Sequence, residues 1–288
     1  MFKKINKQKN ITTFAHYFNY YLILSVKFIK IPFLLIWRIW FYILMIVTIL
    51  ILSPFLLIFT FKEEQYHNFW KVARILSKIL IYGMGFRLKV QNDQITESDK
   101  SYMFCPNHAS LMDAFVLIAL SKNPIVFVGK HELGKIPVFG YFYKKVVIVV
   151  DRNNPESRKR VYKMAKKRLH DGTSMAIFPE GLVPTEDVVL APFKNGAFSL
   201  AIEFETPIVP QVYYDCKRLF SWDFFKGSPG VFRIHQHRFI ETKGLKMEDM
   251  ENLKQKVFKI IEDDLLSDKK FMNDTNRPNN EREFKSPL

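Results

Sequence analysis

Cysteine is scarce in this sequence: the 288 residues include only Cys105 and Cys216. The two are not arranged as a CxxC pair, and a chain without a disulfide framework is typical of a reducing compartment. The sequence also lacks a G-x-S-x-G nucleophile elbow, a GxGxxG fingerprint and a P-loop. The usual motif signals of serine hydrolases, dinucleotide-binding enzymes and NTPases are therefore missing.

Acidic residues are few compared with basic ones. The chain has 28 Asp and Glu residues against 43 Lys and Arg residues, which gives a formal net charge of +15. Such a charge predicts an anionic partner, and nucleic acid, a phospholipid surface and a phosphorylated substrate all satisfy it. The basic run at 158–169, RKRVYKMAKKRL, places its apolar residues on one helical face. This pattern favours an amphipathic helix with a solvated basic side, so we expect no nucleic-acid partner.

Charge is missing altogether from one long segment. Residues 39–61, IWFYILMIVTILILSPFLLIFTF, are 23 residues without a charge, and a helix of that length crosses a hydrocarbon core of roughly 30 Å. We therefore predict a membrane anchor that contacts phospholipid. The Ser53-Pro54 pair leaves open whether the segment spans the membrane or turns back as a shallow hairpin. Side chains typical of a membrane interface lie around its start: Trp37, Trp40 and Tyr42, beside Arg38.

The chain divides into three zones. Residues 1–61 are predicted to form a basic arm and the apolar anchor, residues 62–266 a folded domain, and residues 267–288 a disordered polar tail. Within 62–98, an amphipathic basic helix at about 65–81 leads into the domain. This helix can lie on a membrane or pack against the folded body.

Strand and helix patterns alternate in the folded domain, which predicts an α/β fold with a largely parallel central sheet flanked by helices. The predicted strands are 101–105, 124–129, 146–150, 175–178, 207–214 and 231–235. The predicted helices are 110–120, 155–169, 195–204 and 247–266. The run VVIVV at 146–150 is almost wholly apolar, which is typical of a central strand covered on both faces.

The stretch CPNHASLMDAF at 105–115 contains one histidine and, five residues later, one aspartate. If His108 precedes the helix, its ring can fold back over the first turn, where Asp113 comes within hydrogen-bond reach. The alternative is a capping box, with Ser110 as N-cap and Asp113 at the third helical position. This stretch by itself does not decide between a catalytic pair and a helix cap.

Other polar residues also follow predicted strands. Glu180, in the FPEG motif at 178–181, comes directly after a strand, and the cations Lys130 and Arg152 lie near two further strand ends. Ligands of open α/β sheets bind outside the carboxyl ends of the strands. A histidine, acidic residues and cations at one end of the sheet therefore predict a site for an anionic substrate.

Four motifs in this order resemble the glycerolipid acyltransferase family, which includes the 1-acylglycerol-3-phosphate acyltransferases. The motifs are NHx4D at 107–113, VVIVVDR at 146–152, FPEG at 178–181 and PIVPQVY at 207–213. The resemblance implies a membrane-bound enzyme of phospholipid biosynthesis whose catalytic domain faces the cytoplasm. Such an enzyme transfers a fatty acyl chain from acyl-CoA or acyl carrier protein to the free hydroxyl of 1-acylglycerol-3-phosphate, without a cofactor.

The resemblance also implies roles for individual residues. His108 corresponds to the general base that removes the proton from the acceptor hydroxyl, and Asp113 to the residue that orients the imidazole and stabilises the imidazolium. The positions that correspond to substrate binding, or that we infer for it, are Asn107, Lys130, Arg152, Glu180, Gly181 and Lys194.

The third motif departs from the family pattern. The family typically continues FPEGTR, with an arginine for phosphate, whereas this chain has Leu182 and Val183 in those places. Either another cation substitutes, with Lys194 as the first candidate, or the acceptor is another lysophospholipid or an amino-acid-derived lipid. A non-catalytic lipid-binding scaffold is a further alternative.

The sequence His235-Gln236-His237 puts two histidines on one face of a predicted strand. A metal pair has this spacing, but the neighbouring sequence supplies no obvious further ligands. We therefore expect an ordinary strand face and no metal site.

Overall fold

A computed structural model of the chain describes residues 2–60, 63–136, 139–150, 155–185 and 188–274. For residues 2–29 and for positions 63, 130, 155, 158, 273 and 274, it describes the backbone alone. The body of the protein is a seven-stranded sheet with helices on both faces.

The strands are β1 (Phe86–Asn92), β2 (Met103–Pro106), β3 (Ile125–Lys130), β4 (Val147–Val150), β5 (Ser174–Ala176), β6 (Ile208–Tyr213) and β7 (Gly230–Gln236). The helices are α1 (Phe2–Ile58), α2 (Tyr66–Gly83), α3 (Met112–Leu120), α4 (Phe139–Val146), α5 (Pro155–His170), α6 (Gly196–Glu203), α7 (Cys216–Leu219), α8 (Met250–Ser267) and α9 (Lys269–Asp274). The strand order across the sheet is β1-β7-β6-β2-β5-β3-β4.

The sheet is largely parallel, as predicted, but one part of it runs the other way. Strands β2 to β6 are mutually parallel. Strand β7 is antiparallel to β6 and parallel to β1. Strands β1 and β7 therefore run in the opposite direction to the other five strands, and the last residue of β7, Gln236, pairs with Gln211 of β6.

Two strands differ from the sequence prediction. The run VVIVV forms β4, which lies at an edge of the sheet and not at its centre. Its side chains are nonetheless largely buried because α4 and α5 pack beside it. The opposite edge strand, β1, was not predicted, although its sequence FRLKVQN alternates apolar and polar side chains as a half-exposed strand does.

The predicted disordered tail begins with ordered structure. Helix α9 occupies Lys269–Asp274, and Phe271 within it is buried in the main hydrophobic core. Met272 beside it is partly buried and packs against the same core. The tail residues 275–288 lie outside the described residues.

The predicted basic arm and anchor form one helix, α1, of 57 residues. The chain stays helical through Pro54 to Ile58, so the described segment contains no hairpin at Ser53-Pro54. The part from Lys30 to Ile58 has the length and composition of a membrane-spanning helix, with a mean hydropathy of 2.7 in its most apolar window. Among the described helices it is the one that meets this criterion.

Helix α1 is also part of the folded body. The guanidinium of Arg38 is buried and donates hydrogen bonds through Nη2 to the carbonyl oxygens of Ser221 (2.6 Å), Asp223 (3.1 Å) and Lys226 (2.7 Å). The guanidinium carbon lies 4.1 Å from the ring centroid of Phe220. The expectation that Arg38 lies at a membrane interface is wrong, because the loop between α7 and β7 supplies its hydrogen-bond acceptors.

The neighbouring indoles join α1 to α2 in the same way. Trp37 is buried, and its ring N–H donates to the carbonyl of Met84 at 3.1 Å, while Trp40 donates to the carbonyl of Gly83 at 2.9 Å. Trp37 was also expected at a membrane interface, and it lies instead in a hydrophobic cluster with Phe86. The predicted anchor and the folded domain therefore share a core.

We expect Arg38→Ala to destabilise the fold by about 3 kcal/mol, because three carbonyl groups lose a charged donor at once. Thermal unfolding of the purified protein in detergent measures this loss. The matched control is Lys30→Ala, an exposed cation on the same helix, which should unfold like the wild type. Equal unfolding temperatures for both variants would contradict the docking of α1 through Arg38.

Candidate active site

The His108 side chain meets Asp113 at the junction of β2 and α3. Strand β2 ends at Pro106 and α3 begins at Met112, so His108 precedes the helix. The ring atom Nδ1 of His108 lies 2.9 Å from Oδ2 of Asp113. The Asp113 side chain is fully buried, whereas that of His108 is 24% exposed. The predicted hydrogen bond is confirmed, and it leaves the other ring nitrogen of His108 free to face a substrate.

Asp113 also caps the chain segment that it follows. Its Oδ2 accepts hydrogen bonds from the backbone N–H groups of Ala109 at 2.6 Å and Ser110 at 2.8 Å. The negative charge sits in the first turn of α3, where the helix dipole stabilises it. One carboxylate therefore binds both the imidazole and the backbone that leads into the helix. The predicted capping box differs in detail, because α3 begins at Met112 with Leu111, and not Ser110, at its N-cap.

The two cysteines near this site are buried thiols. Burial raises the pKa of Cys105 and, together with the charge of Asp113, raises the pKa of Cys216 well above its ordinary value. A thiol with a raised pKa stays protonated and is a poor nucleophile. Neither cysteine has the character of a catalytic thiolate.

Glu180 holds the loop that carries His108 from the other side. Its Oε1 accepts the backbone N–H of His108 at 2.6 Å, and its Oε2 accepts that of Ala191 at 2.8 Å. Both carboxylate oxygens are therefore engaged with backbone amides, which fixes the position of His108 relative to the FPEG loop. A direct contact of Glu180 with substrate stays a prediction.

Asn107 ties the same loop to the sheet. Its side-chain oxygen accepts the backbone N–H of Tyr213 at 2.7 Å, and its side-chain nitrogen donates to the carbonyl of Tyr213 at 3.2 Å. The amide thus continues the pairing of β2 with β6 beyond the end of β2. This contact positions the backbone next to His108, and a role for Asn107 in substrate binding stays a prediction.

The FPEG motif supplies two further structural elements. The Phe178 ring stacks on the His108 imidazole, with centroids 4.2 Å apart and planes 21° apart. Gly181 has a φ of +73°, a left-handed conformation that favours glycine. Sequence reasoning did not identify the stacking role of Phe178, although its position in the same motif as Glu180 was an available signal.

A large apolar cavity of about 1270 Å³ opens beside His108. Its walls include side chains from α1 to α6, among them Met45, Ile49, Phe69, Phe115, Phe142 and Tyr162. The cavity has few polar lining groups, and His108 is one of them. Such a space suits a long hydrocarbon chain whose reacting end lies near the imidazole.

The predicted cations are only partly placed. The exposed Lys194 lines the cavity, as do Leu182 and Val183, the residues that depart from the family pattern. The backbone of Lys130 ends β3, but its side chain is not described, and Arg152 lies outside the described residues. The structure therefore brings together His108, Asp113, Glu180, Gly181 and Lys194, and leaves the roles of Lys130 and Arg152 as predictions.

We expect Glu180 to make stability depend on pH. Burial raises the pKa of the Glu180 carboxyl from 4.5 to about 7, against the lowering effect of its two backbone hydrogen bonds. The folded state then binds this proton more tightly than the unfolded state, so the stabilising contribution is complete below about pH 4.5 and lost as the pH rises through 7. The difference amounts to about 3 kcal/mol.

Unfolding midpoints measured between about pH 4.5 and 8 test this expectation. Glu180→Gln should remove the loss, whereas Glu97→Gln, at an exposed ion pair with Lys100, should keep it. A wild type and a Glu180→Gln variant with the same pH slope would show that Glu180 is already ionised in the fold.

Comparison with known proteins supports the family resemblance. The family model described as Acyltransferase matches residues 87–214. A chloroplastic 1-acyl-sn-glycerol-3-phosphate acyltransferase from Brassica napus is 30% identical over 170 residues, which are 58% of this chain and 48% of the relative. A 1-acyl-sn-glycerol-3-phosphate acyltransferase from Limnanthes douglasii is 27% identical over 72% of this chain and 73% of its own length. The chain spans about half the length of the Brassica relative.

A solved structure shares the fold. The crystal structure of the 1-acyl-sn-glycerophosphate acyltransferase PlsC from Thermotoga maritima superposes with a TM-score of 0.71 and 20% sequence identity. The match covers 82% of this chain and 96% of the other. The match to the family model includes both β2 with the His108–Asp113 pair and the FPEG loop. The family model therefore matches the part of the chain that carries all four motifs, and the solved structure shares the fold of the chain.

Proposed function

We propose that this protein transfers a fatty acyl chain from an acyl thioester to the free hydroxyl of 1-acylglycerol-3-phosphate. The observation that carries the proposal is the His108–Asp113 pair at the wall of an apolar cavity large enough for an acyl chain. The printed activities of the relatives from Brassica napus and Limnanthes douglasii support the same reaction.

In this proposal each member of the pair has one role. The free ring nitrogen of His108 accepts the proton of the acceptor hydroxyl as the hydroxyl oxygen forms its bond to the thioester carbonyl carbon. The carbon–sulfur bond then breaks, and the proton passes from the imidazolium to the leaving thiolate. Asp113 holds the proton on Nδ1 throughout and stabilises the imidazolium, while the acceptor itself supplies the nucleophile.

We place the reaction at a membrane surface. The acceptor and the product are lipids, and α1 is apolar enough to enter a bilayer. The net charge of +15 favours an anionic phospholipid surface. In this arrangement the catalytic domain lies on the cytoplasmic side, where acyl-CoA and acyl carrier protein, the two candidate donors, are found.

A second candidate acceptor follows from one observation. Leu182 and Val183 line the cavity in the places where the family carries a phosphate-binding arginine. An apolar lining there favours an acceptor without a terminal phosphate, such as a lysophospholipid with a larger headgroup. The chemistry at His108 is the same for both acceptors.

We expect His108→Ala to lower the turnover number by about 10²–10⁴-fold, because general-base assistance is lost. Thioester-dependent acylation by the purified protein, with circular dichroism to confirm folding, measures the effect. The control is His170→Ala, at a side chain that is 90% exposed.

Asp113→Asn should also reduce turnover, and a folded fraction of that variant with full activity would show that Asp113 acts only as a cap.

Lys194→Ala tests the phosphate acceptor. If Lys194 pairs with a terminal phosphate, its loss removes a charge-assisted hydrogen bond and should raise the KM for lysophosphatidate roughly 10- to 150-fold. The KM for lysophosphatidylcholine should change little, and so should both values in Lys243→Ala, at an exposed lysine that does not line the cavity. An unchanged KM for lysophosphatidate, with His108→Ala still inactive, would favour the second acceptor class.

A further inference from the structure

A second cluster of titratable side chains lies at the β1–β7 side of the sheet. His235 belongs to the last part of β7, His237 follows it, Asp93 follows β1, and Asp264 projects from α8. Strand β7 is two strands away from β2, which leads to His108. None of the four side chains lines the cavity beside His108, so the cluster is separate from that site.

The two imidazoles lie side by side between the two carboxylates. Their ring centroids are 4.0 Å apart, with planes tilted by 40°. On one side, Asp264 Oδ2 lies 2.6 Å from His235 Nδ1 and 2.8 Å from His237 Nε2, the second contact being less well aligned. On the other side, Asp93 lies 3.0 Å from His235 Nε2 and 3.7 Å from His237 Nδ1.

Asp264 is the acceptor on one side of the ring pair. It accepts the Tyr214 hydroxyl at 2.6 Å, and its contact with His235 at 2.6 Å fits an Nδ1–H that donates to the carboxylate. His235 Nε2 and His237 Nδ1 then face Asp93.

A carboxylate only accepts, so the approach of Asp93 to these two ring nitrogens is favourable when a proton or a metal cation lies between them. The potential ligand atoms of Asp93, His235 and His237 all lie within 4.8 Å of one another. The Gln91 amide nitrogen lies 3.1 Å from His235 Nε2. Two imidazoles and one carboxylate are the donor set of zinc and not of magnesium or calcium, which prefer oxygen alone.

We propose that Asp93, His235 and His237 bind a zinc ion, with Asp264 as the outer carboxylate that orients both imidazoles. Metal-bound histidines commonly donate their other ring N–H to a carboxylate in this way. The Asp93 side chain is 33% exposed, which gives the ion an entry path and leaves a coordination position for water.

The expected effect of the ion is on stability. Its ligands come from the ends of β1 and β7, and Asp264 adds α8, so the ion joins an edge strand, its neighbour and the C-terminal helix. An ion that binds only the folded state stabilises it by mass action. Sequence reasoning dismissed the histidine pair because Asp93 lies 142 residues from His235 in the chain.

The test uses the full-length protein after treatment with a chelator. Calorimetric titration with Zn²⁺, together with metal analysis after dialysis, should give one ion per chain and a higher unfolding temperature in Zn²⁺. Cobalt(II) should give the visible absorption of a site with nitrogen ligands. His237→Ala and Asp93→Asn should each lose the bound ion and the rise in unfolding temperature.

Two further variants make the result specific. His170→Ala removes a surface histidine beside an aspartate and should bind Zn²⁺ like the wild type. Asp264→Asn should keep the site but weaken it roughly 10- to 100-fold, the usual effect of losing an outer carboxylate. No stoichiometric binding, or binding that Asp93→Asn leaves unchanged, would overturn the proposal and leave a hydrogen-bonded histidine–aspartate network. Since Asp93 is partly exposed, its variant remains informative if His237→Ala fails to fold.

Discussion

One oxygen of Asp113 organises the catalytic end of this protein. It accepts the imidazole of His108 and the backbone amides of Ala109 and Ser110, all within 2.9 Å. The charge is fully buried, so the three donors and the start of α3 compensate for its lost hydration. The same contact that ends the loop and begins the helix therefore also sets the orientation of the proposed base.

The rest of the site is arranged around that contact. Glu180 fixes the backbone of His108 from the FPEG loop, Asn107 fixes it from β6, and Phe178 covers one face of the ring. Each of these side chains acts mainly on the position of His108. Motif residues can thus act on a reaction by positioning the backbone of the site and without contacting the substrate. For this reason a motif shows where a site lies more reliably than it shows which side chains contact the substrate.

The sequence was sufficient for features that depend on near neighbours. His108 and Asp113 are five residues apart, and the strands and helices of the folded domain follow from short periodic runs. Features that depend on distant partners were not accessible. Arg38 was assigned to a membrane interface because its hydrogen-bond acceptors lie more than 180 residues away in the chain. The run VVIVV was placed at the centre of the sheet because its side chains are apolar on both faces. Packed helices can bury both faces of an edge strand as well, so this pattern does not distinguish the two positions.

Helix α1 contributes Met45, Ile49 and Leu56 to the wall of the cavity beside His108. These residues are four and seven positions apart, so they lie on one side of the helix, and large apolar side chains elsewhere on it remain exposed. In the proposed membrane setting, one helix separates bilayer from cavity. A fatty acyl chain can then slide around this helix between two hydrocarbon environments without entering water, which would cost about 0.8 kcal/mol for each methylene group.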